Sequence, residues 1–212
     1  MFPLRDADSP AEAGGRRQQK KQETRAALNA AATRLFATKG YEQTSVDDLC
    51  READVSLRTF FRYFESKEDV LFARDMDIAP FLTTLVAVPP DEPALRAFGD
   101  AYLAQPPLSA ADAAQAVQFH RAMRDSAVLQ GRYVMGIEHF RAVVARAFAD
   151  RAGRATPNDA DRLAAALGQS TLDHAYKRWL AREGRGDLRT IVKQAFAMLG
   201  ALTDAERSSV VT

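Results

Sequence analysis

The chemistry open to this 212-residue chain is narrow. His120, His139 and His174 are its three histidines, and none stands at the short spacing that puts two ligands on one metal. Asp173 adjoins His174, but an acid and an imidazole without a placed nucleophile make no catalytic assembly. Each histidine reads as a solvated or core-edge group. Cys50 is the single cysteine, so no disulfide can close within the chain, and a reducing compartment suits it. No catalytic, metal or cofactor-binding set emerges, and the expectation is a protein that is not an enzyme. What remains is residues 44–64, TSVDDLCREADVSLRTFFRYF, where arginines and hydroxyls are interleaved with aromatics. Guanidinium and hydroxyl groups donate to phosphate oxygens and base edges, so this mixture points to nucleic-acid recognition.

To reach a base edge such side chains must stand on a short helix held firmly from behind. The stretch reads as two short helices with a tight turn between them. Thr44 or Ser45 can cap the first, with Asp47 and Asp48 three residues on in a reciprocal capping pattern. Val46, Leu49, Cys50 and Ala53 then share one face. Asp54 and Val55 supply the turn, Ser56 caps the second helix, and Phe60, Phe61 and Phe64 form its anchoring side. Leu57, Arg58, Thr59, Arg62 and Tyr63 are left for the other side. This is the pattern of a helix-turn-helix that offers its second helix to a major groove.

At 47% hydrophobic and 27% charged residues, the chain can bury a substantial core. Alanine and arginine are abundant, β-branched residues sparse, and no strand-like alternation appears, so the expected fold is all-α with about nine helices. A net charge of +1 does not mark a basic protein, but its distribution is uneven. Arg16, Arg17, Lys20, Lys21, Arg25, Arg34 and Lys39 face the single acid Glu23 just before the helix pair, a field able to attract phosphates. Neither a secretory segment nor a long apolar run is seen, and the expectation is a soluble, cytoplasmic protein with no membrane contact.

The expected organisation is a disordered tail over 1–15, a DNA-binding domain over 16–66, a second helical domain with a dimerisation surface over 67–203, and a flexible tail over 204–212. Residues 18–39 form a long helix on a stripe of Leu28, Ala31, Ala32, Leu35 and Phe36, ended by Gly40. Tyr41 folds back onto the bundle. Ser66 and Asp69 cap a helix over 67–88 that carries Val70, Leu71, Ala73 and Met76. Breakers at Pro89-Pro90, Pro93, Pro106-Pro107, Gly153, Pro157, Gly184 and Gly186 set off further helices, including one over 127–151 and a pair over 158–181 and from 188 on. In that last pair Leu163, Leu167, Leu172, Tyr176, Trp179, Leu188, Ile191, Val192, Phe196 and Leu199 exceed what one packing face needs, and two such hairpins can build a four-helix dimer interface. Phe98, Tyr102, Phe119, Met123, Tyr133, Ile137 and Phe140, on the middle helices, form a further apolar set. The same spacing serves a filled core and a cavity alike.

With LNAAATRLFATKGYEQTSVDDL and VSLRTFFRYFESKEDVLF, residues 28–71 resemble the TetR/AcrR family of bacterial one-component transcriptional regulators. The resemblance implies a homodimer on a double-stranded, palindromic DNA operator and makes 67–203 the ligand-binding and dimerisation domain, where a small hydrophobic or acyl-containing effector releases the DNA and Phe98, Tyr102, Phe119, Met123, Tyr133, Ile137 and Phe140 are the candidates to line its site. It places Thr44 and Ser45 near a backbone phosphate and Ser56, Leu57, Arg58 and Thr59 at the leading end of the recognition helix. Arg62, Tyr63 and Lys67 fall where relatives contact DNA, mainly phosphates. Arg58 is the candidate to read a guanine edge and Leu57 a thymine methyl, while Arg62 suits either an edge or a phosphate. Asp54 stands where glycine is common, and Phe61 where tyrosine is. TFFRYF and WLARE-GRGDLRTIVKQAFAML resemble a branch with an acyl-CoA-like ligand domain, including regulators near mycofactocin clusters.

Overall fold

A computed structural model describes residues 15–72 and 78–210, with side chains placed over 19–72 and 78–202. Of the tail expected over 1–15, residues 1–14 lie outside the described residues, as do the side chains of Arg16 and Arg17, Ala73 and Met76, and residues 211–212, whereas Gly15 opens the first helix. All regular structure described is α-helical, in ten helices. No described helix is long and apolar enough to cross a membrane.

Local signals set most boundaries. α1 (Gly15–Thr38) stops before Gly40, which takes φ +88°, a left-handed turn that spares glycine the Cβ clash. α2 (Val46–Glu52) and α3 (Leu57–Tyr63) follow, then α4 (Lys67–Phe72) and α5 (Ala79–Ala87). The single helix expected over 67–88 is thus described in two parts, with 73–77 outside the described residues. α6 (Ala94–Leu103) begins at Pro93, where a missing N–H costs nothing. α7 (Ala110–Arg124) is capped by Ser109, and α8 (Ala127–Arg151) has the bounds its periodicity predicts. α9 (Asp159–Leu180) starts from a reciprocal cap between Asn158 and Asp161. α10 (Leu188–Val210) continues past residue 203, where a flexible tail was expected, because no glycine or proline interrupts 203–210.

Contacts gather the chain into two units. The first takes the described residues up to Phe72, together with Ala114–Ile137 from α7 and α8. Its core joins Leu28, Phe36, Leu49, Phe60, Val70, Leu71, Phe119 and Leu129. Contacts therefore place α4 with the amino-terminal helices, on the other side of the line expected after residue 66, because Val70, Leu71 and Phe72 are all buried. The second unit comprises Ile78–Ala113 and the chain from Glu138. There α9 lies against α10 and α6, and α6 against α5. Phe98 is its hub, with ring centroids of Phe81, Phe196 and Phe140 at 5.2, 5.8 and 6.3 Å. Gly168 lets that ring press on α9: a Cβ there would stand 2.7 Å from Phe98 Cδ2.

Candidate nucleic-acid interface

The α2–α3 pair is built by its caps. Ser45 Oγ accepts from Asp48 N at 3.1 Å, and Asp48 Oδ2 accepts from Ser45 N at 3.0 Å. Lys39 Nζ reaches the same carboxylate at 2.7 Å, and these bonds, the Lys39 one foremost, hold it well below the usual carboxylate range. α2 turns Leu49 and Cys50 inward, and Asp54 takes φ +53°, a left-handed geometry that a short polar side chain tolerates. Val55 N returns to Cys50 O at 2.9 Å. Ser56 then caps α3, accepting from Thr59 N at 3.2 Å.

α3 stands on two aromatics rather than three. Phe60 and Phe64, one helical turn apart, are buried, whereas Phe61 is 59% exposed. The expected anchoring role of Phe61 is corrected by helix geometry: each residue advances about 100°, so Phe61 cannot share the inward direction that Phe60 and Phe64 share. Counting in steps of four along FFRYF was the signal that could have shown it. Phe61 packs edge-on against Phe60, centroids 5.2 Å apart. Ser56, Leu57, Arg58, Phe61 and Arg62 are the exposed residues of the segment. Arg58 makes no hydrogen bond or ion pair among the described residues, while Arg62 stacks on Tyr63, 4.7 Å from its ring centroid, and donates to its hydroxyl at 3.0 Å.

Other sequence candidates are turned inward. Thr44 is 1% exposed, its hydroxyl donating to Gly40 O at 2.7 Å. Lys67 Nζ donates to Tyr41 O at 2.8 Å and Thr44 O at 3.0 Å and lies 4.0 Å from the Tyr41 ring centroid. Tyr41 in turn donates to Glu68, and burial pushes its phenol above its ordinary range. The basic run is partly neutralised, since Arg34 pairs with Glu52 and Lys39 with Asp48. Arg25, which stood only as one charge in that run, lies over Phe64 at 5.3 Å. Asn29 was missed altogether: it is buried, donates to Val70 O and Leu71 O, and accepts from Gln115 on α7. Asp69 pairs with Arg132 on α8. α4 is thereby tied to α1, α7 and α8 behind the helix pair.

The effector candidates are divided between the two units. Phe119 and Met123 are buried in the first unit, with Tyr133 packed on that core and Ile137 half-buried. Phe98 and Phe140 belong to the aromatic cluster of the second, where Tyr102 bonds to Tyr176 and burial raises its phenol above the ordinary range. Helical spacing marks burial without saying in which core. Of the dimer candidates, Leu172, Trp179, Leu188, Ile191 and Val192 are buried within the chain's own fold, Trp179 Nε1 donating to Gly186 O at 3.1 Å. Leu167, Tyr176, Phe196 and Leu199 are half-buried. Leu163 is 60% exposed, and Met198 and Leu202, absent from the expected set, are exposed on the same hairpin. Among the described residues no cluster of histidine, cysteine and acids is arranged to hold a metal.

Residues 28–73 match the family described as bacterial regulatory proteins, tetR family, and residues 92–203 match the MftR C-terminal domain. The HTH-type transcriptional regulator TcmR of Streptomyces glaucescens is 33% identical over 146 residues, 66% of this chain and 65% of that protein. The HTH-type transcriptional regulator EthR of Mycolicibacterium smegmatis is 50% identical over 48 residues, 23% of this chain and 22% of its own length. The matches thus span less than two thirds of either relative. A protein named for transcriptional regulation of mycofactocin biosynthesis, MftR of Mycobacterium tuberculosis, is 28% identical over 183 residues, 82% of this chain and 87% of that one. A crystal structure of a regulator from Pseudomonas aeruginosa PAO1 covers 87% of this chain and 90% of its own at TM-score 0.51 and 20% identity, a likeness of fold.

Proposed function

The chain belongs to the tetR family of bacterial regulatory proteins, and we propose that it is a homodimeric transcriptional repressor that binds a palindromic DNA operator in the cytoplasm. The observation that carries this reading is α3: Phe60 and Phe64 fix it from behind, and Leu57, Arg58, Phe61 and Arg62 stand outward. Arg58 is unpaired within the described chain and is the residue to form two hydrogen bonds with a guanine edge. Leu57 meets a thymine methyl, and Arg62, Tyr63 and Ser45 lie toward the phosphates. Thr44 and Lys67 serve from within, since Lys67 binds the carbonyls on which the α2 entrance is built. Residues 16–66 carry the DNA contacts and 67–203 the regulatory and dimer functions.

Dimerisation through α9 and α10 is supported by the exposed Leu163, Met198 and Leu202, apolar area that a second copy would cover. The dimer would set two α3 helices about 34–36 Å apart, one turn of the duplex. The effector is a small hydrophobic or acyl-containing molecule. The match of 92–203 to the MftR C-terminal domain supports that branch, and the acyl-CoA-like ligand class is what the resemblance to the branch implies. Release requires the effector to bind the DNA-incompatible state more tightly than the DNA-bound one.

Selection of genomic fragments by the purified chain at a stated salt concentration tests the reading. A shared palindrome is expected, with affinity reduced by acyl-CoAs that bind the protein. Salt-sensitive capture without a shared sequence would overturn it and leave a helical protein-interaction module with only non-specific DNA affinity.

A further inference from the structure

Phe61 is a large apolar ring that the fold leaves uncovered on the face of α3 assigned above to DNA. In steps of about 100° per residue, Leu57 and Phe61 form one row along α3, and Arg58 and Arg62 form the next. All four are exposed. The apolar row therefore runs beside a cationic row that a duplex would draw toward its phosphates and guanine edges. Its ring is set edge-on against the buried Phe60, centroids 5.2 Å apart. It has no hydroxyl with which to hold a phosphate. The chemistry that fits an apolar face inside a major groove is the thymine 5-methyl group, the one apolar feature the groove presents.

We infer that Phe61, with Leu57 beside it, selects a thymine in each operator half-site by packing on its 5-methyl group, next to the guanine read by Arg58. This rests on the DNA-binding reading above. Phe61 thus determines specificity rather than overall charge attraction.

The test uses the full chain and the operator recovered by selection. Each thymine of a half-site is replaced singly by deoxyuridine, which lacks only the 5-methyl group, and binding is titrated with the unsubstituted protein, Phe61→Ala and Phe61→Leu. One position is expected where uracil weakens the unsubstituted protein by about fourfold per half-site, the worth of one buried methyl. At that position Phe61→Ala should lose most of the preference for thymine over uracil, keeping only what Leu57 supplies, with its salt dependence unchanged, and Phe61→Leu should keep more of it. If every thymine-to-uracil effect persists in full in Phe61→Ala, or if that variant alters the oligomeric state instead, the assignment is overturned. Failure to recover any shared sequence would instead remove the DNA-regulator reading itself.

Discussion

Exchanging Gly168 for alanine should destabilise the protein, although alanine is the better helix former. In the interior of α9 the exchange by itself favours the helix by about 0.5–1 kcal/mol. Against this stands the new Cβ, placed 2.7, 2.8 and 3.1 Å from Cδ2, Cγ and Cε2 of Phe98. That ring is fully buried and flanked by Phe81, Phe140 and Phe196, so it has aromatic neighbours rather than a flexible chain end to yield. Overpacking of this kind costs about 1–3 kcal/mol, so at the midpoints of the two ranges the net loss is about 1 kcal/mol. Gly131 is the control: it lies in α8, is exposed, and an added Cβ meets nothing within 4 Å, so Gly131→Ala should raise stability. Urea unfolding of both variants followed by circular dichroism makes the comparison. A Gly168→Ala protein as stable as the parent would refute the packing argument, because Phe98 would then have room to retreat into a cavity beside α9, the outcome an effector site lined by Phe98 and Phe140 requires.

Arg58→Ala should weaken operator binding by about 1–3 kcal/mol and relax preference at one base pair of each half-site, read by titrating single-base operator variants. Lys67→Met should lower stability by about 1–2 kcal/mol through the lost bonds to Tyr41 and Thr44, while leaving the salt slope of DNA binding unchanged; a reduced slope would put its ammonium on a phosphate instead. The Arg154 guanidinium, 2.7 Å from the buried Asp161, holds that carboxyl below its ordinary range. The bond therefore stabilises the fold above the unfolded carboxylate value of about 3.9 and is lost as pH falls through the lower folded value. Acid unfolding of Asp161→Asn should accordingly begin from a lower stability and fall less steeply below about pH 4.

Much of the architecture is written locally. Ser45 with Asp48, Ser56 before α3, Gly40 after α1 and the apolar spacing of α8 each act over a few residues, so the helix pair and its exposed Arg58 were legible in the chain. The direction of Phe61 was legible too, once Phe60 and Phe64 are placed one turn apart. Lys67 could not be placed this way: its acceptors on Tyr41 and Thr44 lie 26 and 23 residues away, and only the packing of α4 brings an ammonium that looks solvated onto buried carbonyls. Asn29 gains its role from Val70, Leu71 and Gln115, up to 86 residues distant. Which of the effector and dimer candidates share a surface is hidden from the sequence for the same reason. Periodicity tells a helix which side avoids water, but Phe98 and Phe119 carry the same signal while entering different cores, and Trp179 and Leu163 share a helix while one is buried and the other exposed. Backbone caps and periodic burial depend on neighbours along the chain, whereas the partner that covers an apolar or charged side chain is chosen by which helices meet in space.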